Sequence, residues 1–153
     1  MYPSVRFHPD AVIEAAAGDK PAVLEAVADA MASVYGLDRE TVLDSLVERE
    51  ALGSTGFGNG IAIPHARMEG LERPLAAVIR LDGAVDFAAA DAMPVDLVFG
   101  LLSPAQAGAE HLHALAAISR MVRGEDMRRA LMEAPSTEAL YALITNATDR
   151  DAA

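Results

Sequence analysis

Val95-Asp-Leu-Val-Phe-Gly-Leu-Leu-Ser103 is an apolar run with Pro94 immediately before it and Pro104 immediately after it. Proline is a poor fit inside a central strand, so the two prolines bound a segment of strand length. It is the strongest strand candidate in the chain. Leu75 to Leu81, apolar except for Arg80, predicts a second strand. Asp82-Gly83 then marks a turn, with Ala84 to Phe87 as a short partner strand. Ile61 to Ile63 is β-branched at two of its three positions and predicts a short buried strand, ended by Pro64.

Helices are expected on either side of this cluster. Pro21 to Tyr35 carries Val23, Leu24, Val27, Met31 and Val34 at helical spacing, with Pro21 in the first turn and Gly36 at the C-terminal end. Asp38 reads as the N-cap of a second helix through Glu50. Further on, His111 to Met121, Met127 to Met132 and Thr137 to Ile144 have helical periodicity, Ser136 being a plausible N-cap. Residues 149–153 are expected to fray. Residues 1–19 carry no assignable motif, and His8 within them is expected to be mobile and incidental. Helices, strands and helices again predict one α/β domain, spanning 1–153 with a core of about 12–147, whose sheet is covered on its faces.

Composition narrows the function. Of 153 residues, 52% are hydrophobic, enough for a sizeable core, and the formal net charge is −11. An acidic chain is a poor ligand for nucleic acid or for an anionic membrane, and a good one for a basic protein. The absence of cysteine removes disulfides, thiolate metal sites and cysteine nucleophiles. No apolar run approaches the ~18 residues of a membrane span, and residues 1–10 hold no apolar leader, so a cytoplasmic protein is expected.

The chemistry is concentrated in Gly53-Ser-Thr-Gly-Phe-Gly-Asn-Gly-Ile-Ala-Ile-Pro-His65. The loop is not a P-loop, since no Gly-Lys-Ser/Thr follows. Nor is it a dinucleotide fingerprint, since a strand rather than a helix follows. It reads either as a tight turn that needs glycine or as a nest of backbone amides for an anion. His65, after the proline and beside the loop, is placed where a reactive imidazole would be. Neutral imidazole is a nucleophile and could take a phosphoryl group without a metal. Arg49 is either a cation suited to a helix C-terminus or a guanidinium for phosphate oxygens. Arg67 is the weaker candidate of the two. His111 and His113, two apart on a helix, point in different directions and do not chelate. Zinc held by His65, His111 and a carboxylate finds no support in ligand spacing.

Arg49-Glu-Ala-Leu-Gly-Ser-Thr-Gly-Phe-Gly-Asn-Gly-Ile-Ala-Ile-Pro-His65, with His111-Leu-His-Ala-Leu later in the chain, resembles the phosphotransferase-system enzyme IIA domains of the fructose/mannitol/nitrogen class. The resemblance extends from about Val12 to Ile144. It implies a mixed sheet of about five strands flanked by helices on both faces. It also implies a phosphohistidine carrier needing no cofactor and no metal. His65 would take the phosphoryl group on Nε2 from a small phosphocarrier protein. Arg49 and His111 would contact that group, and Ser54, Thr55, Gly56, Gly58, Asn59 and Gly60 would form the loop that cradles it. A chain of one such domain is most similar to the free-standing nitrogen-regulatory type, which acts through the proteins it binds. The alternative is a fructose-type transport component that passes the group to a IIB domain.

Overall fold

The computed structural model describes residues 5–152, and among these the chain forms six strands and five helices. The strands are β1 (Arg6–Ala15), β2 (Gly56–Gly58), β3 (Ile61–Ala62), β4 (His65–Met68), β5 (Leu75–Val85) and β6 (Val95–Pro104). The helices are α1 (Lys20–Tyr35), α2 (Arg39–Ala51), α3 (Gly108–Arg123), α4 (Glu125–Glu133) and α5 (Thr137–Ala152). One mixed sheet runs in the order β1-β5-β6-β3-β2, with β4 also on β6.

The pleat sorts side chains to two cores. From β5, Ala77, Ile79 and Leu81 face α1 and α2, where they meet Val27, Met31 and Leu46. Ala76 and Val78 face the other way, as do Leu97, Phe99 and Leu101 of β6, and pack under Ile118, Leu131 and Leu140 of α3, α4 and α5. Alternate residues of one strand point to opposite faces, so both faces must be apolar in a sheet covered by two helical layers. Gly100 sets how close the first layer comes. A Cβ there would lie 2.5 Å from Cγ1 of Val27, so α1 rests almost on the backbone of β6.

The helix boundaries follow their caps. Asp19 accepts a hydrogen bond from the Ala22 amide at 2.9 Å, Asp38 from Thr41 at 3.0 Å and Ser136 from Ala139 at 3.1 Å. Gly36 closes α1 at φ 70°, in the left-handed region.

Three expectations are corrected. The N-terminal segment is strand β1, parallel to β5, with Val12 opposite Val78. A register shift between Phe7 and Val12 accommodates Pro9, which an edge strand tolerates. His8 is held there: its amide donates to the Tyr35 hydroxyl at 3.1 Å. Asp82-Gly83 is not a hairpin turn, because β5 continues through it to Val85, with a register shift against β6 between Arg80 and Val85. Finally, α5 runs through Ala152 instead of fraying from residue 149; Ala153 lies outside the described residues.

Candidate functional site

Pro64 interrupts a strand without ending it. β3 pairs parallel with β6, Ile61 opposite Leu97, and β4 resumes beside the same strand, His65 opposite Leu101. The register is unchanged across the break, and the Pro64 carbonyl still accepts from the Leu101 amide at 3.0 Å. His65 therefore keeps the parity of Ile61 and Ile63, which face the α3 side. Ala66 and Met68 face α1 and α2. Arg67 shares the parity of His65, and Ser103, opposite Arg67, shares that of Leu101.

This places His65 beneath the first turn of α3, which carries His111. The two imidazole centroids are 5.4 Å apart. Together they line a cavity of about 700 Å³, with Arg49 from α2, Arg67 from β4, Gly108 at the start of α3, and Ser45, Glu48, Leu52 and Leu112. Gly108 opens a sixteen-residue helix that lacks a side-chain cap, so its positive end is turned to the cavity. His113 is exposed and takes no part in the lining. His8, on the edge strand, is also elsewhere.

Both rings are tied to the protein through Nδ1. His65 Nδ1 lies 2.7 Å from the Ile63 carbonyl, which can only accept, so Nδ1 carries the proton and Nε2 keeps the lone pair. His111 Nδ1 lies 2.7 Å from Ser103 Oγ. Burial, and then the positive charge of Arg49, lower the His65 pKa, although the Ile63 bond opposes this. Burial, and then His65, Arg67 and Arg49, bring His111 down to about 4. Both imidazoles are neutral at pH 7.

The arginines are not neutralised. Arg49 spends one guanidinium nitrogen on the Gly53 carbonyl at 3.1 Å, and among the described residues neither it nor Arg67 pairs with a carboxylate. Two uncompensated guanidinium groups, a helix N-terminus and two neutral imidazoles make a site suited to an anion. Glu48 is the one acid among the lining residues. The described residues contain no group of three His, Asp or Glu side chains arranged to hold a metal.

The sequence-predicted trio of Arg49, His65 and His111 thus converges. The glycine loop does not join it. Ser54, Thr55, Gly56, Gly58, Asn59 and Gly60 are absent from the cavity lining, and several of their polar groups bond within the protein. The Thr55 amide donates to buried Glu50 at 2.7 Å, Gly56 to Ser54 Oγ at 3.0 Å and Asn59 to Asp91 at 2.8 Å. Ser54 Oγ donates to the Phe87 carbonyl at 2.6 Å. Asn59 (φ 57°) and Gly60 (φ 85°) form the tip of the β2–β3 hairpin, the tight-turn alternative. Gly56 is required because a Cβ would come within 2.8 Å of both Ala89 Cα and Cβ. The amides of Thr55, Gly56 and Asn59 are thus given to protein acceptors.

Ser103 was not visible as a site residue from sequence, although one signal existed: a hydroxyl closing an otherwise apolar strand. Pro64 reads as a strand end and so hides Arg67, which the resumed strand β4 brings to the cavity.

Residues 7–147 match the family described as phosphoenolpyruvate-dependent sugar phosphotransferase system, EIIA 2. A nitrogen regulatory protein of Pseudomonas aeruginosa is 48% identical over 130 residues, 84% of each chain. A fructose-specific EIIA component of the phosphotransferase system in Haloferax volcanii is 39% identical over 112 residues, 73% of each. Among solved structures, the nitrogen regulatory protein IIA-Ntr of Neisseria meningitidis superposes with a TM-score of 0.81 at 34% identity, covering 88% of this chain and 93% of that one.

Proposed function

This chain belongs to the phosphotransferase-system EIIA 2 family, and on that premise we propose that it carries a phosphoryl group on Nε2 of His65 and acts in regulation through its phosphorylation state. The observation that carries the choice of atom is the Nδ1 bond from His65 to the Ile63 carbonyl. It commits the ring proton to Nδ1 and leaves the Nε2 lone pair for phosphorus.

The donor is a phosphocarrier protein bearing a phosphorylated histidine. As the new Nε2–P bond forms, the donor's N–P bond breaks and its imidazole leaves with the electron pair. His65 keeps its Nδ1 proton throughout, so no general base is needed. The transferring group is loosely bonded in the transition state and its charge spreads over the equatorial oxygens. Arg49, Arg67 and His111 are the groups placed to meet that charge. Leu52 and Leu112, 84% and 66% exposed, rim the cavity and offer an apolar contact to a transient partner. The charge of −11 suits a basic donor surface.

The regulatory reading draws on the relatives named as nitrogen regulatory proteins. The fructose-specific relative supports a transport role, with a IIB domain as acceptor, less strongly. A cytoplasmic location fits both readings, and among the described residues no helix is long and apolar enough to cross a membrane. Incubation with phosphoenolpyruvate, enzyme I and the phosphocarrier tests the proposal. One phosphate should appear, labile to acid and stable to base. Full labelling of a His65→Ala chain would overturn the assignment. Rapid onward transfer to a fructose IIB domain would move the function to transport.

A further inference from the structure

The Nδ1 atoms of His65 and His111 are both held at 2.7 Å, but by partners of different chemistry. A carbonyl such as that of Ile63 can only accept. A serine hydroxyl can donate as well. Ser103 Oγ belongs to a fully buried residue near the end of β6, opposite Arg67 of β4 and next to Leu102, where the ladder to β5 begins. Among the described residues its one side-chain hydrogen bond is to His111. A buried hydroxyl whose hydrogen pointed anywhere else would leave that donor unsatisfied, which proteins rarely permit. The hydrogen therefore lies on the line from Oγ to Nδ1, and the ring proton of neutral His111 must sit on Nε2.

We propose that Ser103 is a positioning residue that holds His111 in the Nε2-protonated tautomer, making His111 a hydrogen-bond donor to the phosphoryl oxygens on His65. Two neighbouring neutral imidazoles then do opposite work. The carbonyl behind His65 exposes a lone pair to phosphorus, and the hydroxyl behind His111 exposes an N–H to oxygen. In the other tautomer, His111 would turn a lone pair toward the phosphoryl oxygens and repel them. The donor role rests on the phosphocarrier reading above; the tautomer does not.

Nitrogen-edited imidazole spectra of the full, unphosphorylated chain at pH 7 decide the tautomers directly. His65 should be protonated on Nδ1 and His111 on Nε2. A His111 ring protonated on Nδ1 overturns the proposal, whatever any variant does. In Ser103→Ala, the His111 resonances should shift toward a mixture of tautomers while those of His65 stay put. Phosphoryl uptake should slow roughly tenfold, the scale on which losing the hydrogen-bond partner behind a functional imidazole is felt. Ser103→Thr, which keeps the hydroxyl, should restore both. An Ala variant with unchanged His111 spectra and unchanged uptake also overturns the proposal. Failure of the unmodified chain to take up phosphate would instead sink the phosphocarrier reading, leaving the tautomer to the spectra.

Discussion

Arg80 of β5 and the two arginines of the His65 cavity, Arg67 of β4 and Arg49 of α2, are treated in opposite ways. Arg80 is 7% exposed. It donates to the carbonyls of Leu131, Met132 and Ala134 at 3.0, 3.3 and 2.8 Å, and pairs with Glu14 at 3.0 Å. It thereby ties the end of α4 to β5 and β1. Among the described residues Arg49 makes one side-chain hydrogen bond, to Gly53, and Arg67 lines the cavity without an acidic partner. A guanidinium whose donors are filled by the protein holds the fold. One whose donors are left over is placed for something that arrives later. The same contrast separates Glu50, buried against Thr55 and Lys20, from Glu48 on the cavity wall.

The contrast can be broken at several points. His65→Ala should lose phosphoryl uptake completely while its urea midpoint moves little, because the ring lines a cavity and is only partly buried. Arg80→Met should do the reverse. Unpairing three carbonyls at the end of α4 should cost about 3 kcal/mol in urea unfolding, with the uptake rate of the folded fraction unchanged. If Arg80→Met slowed uptake at full folding, the division between structural and functional arginines would fail. Arg49→Ala should slow uptake by about a hundredfold, the lower end of what loss of one charge-stabilising donor costs in a transition state. Unfolding should shift by only a fraction of that free energy.

Acidification gives the smallest effect. Both histidine pKa values are lowered by burial, His111 to about 4. The unfolded rings bind protons first, near 6.5. The stability that neutral burial contributes is therefore complete above about pH 6.5 and is lost as pH falls toward 4. The urea midpoint should decline across that window, and more weakly in His111→Ala. Uptake should be flat from pH 7 to 8.

Much of this was legible along the chain. The caps at Asp38 and Gly36 and the proline-bounded run at Val95 are local signals, and local signals fixed α1, α2 and β6. What escaped depended on distant partners. β1 contains His8-Pro9-Asp10 and looks like a loop until β5 is laid beside it. Asp82-Gly83 has the residues of a hairpin turn, yet β6 keeps β5 extended past it. Gly56 needs to be glycine because of Ala89, thirty-three positions on. The trio of Arg49, His65 and His111 was found through its resemblance to a family. Ser103 had no comparable signal, since its role appears only once α3 is folded over β6.

The two-residue interruption at Ile63-Pro64 bears on how this chain can tolerate insertion and deletion. An even break preserves the alternation of the strand, so His65 emerges on the α3 side in unchanged pairing with Leu101. Losing or gaining one residue between Ala62 and His65 would invert everything downstream. After a one-residue deletion the imidazole would turn toward α1 and α2, and Ala66 would take its place facing His111. Changes of length at this point are permitted only in pairs, a constraint on the chain's history that no single side chain expresses.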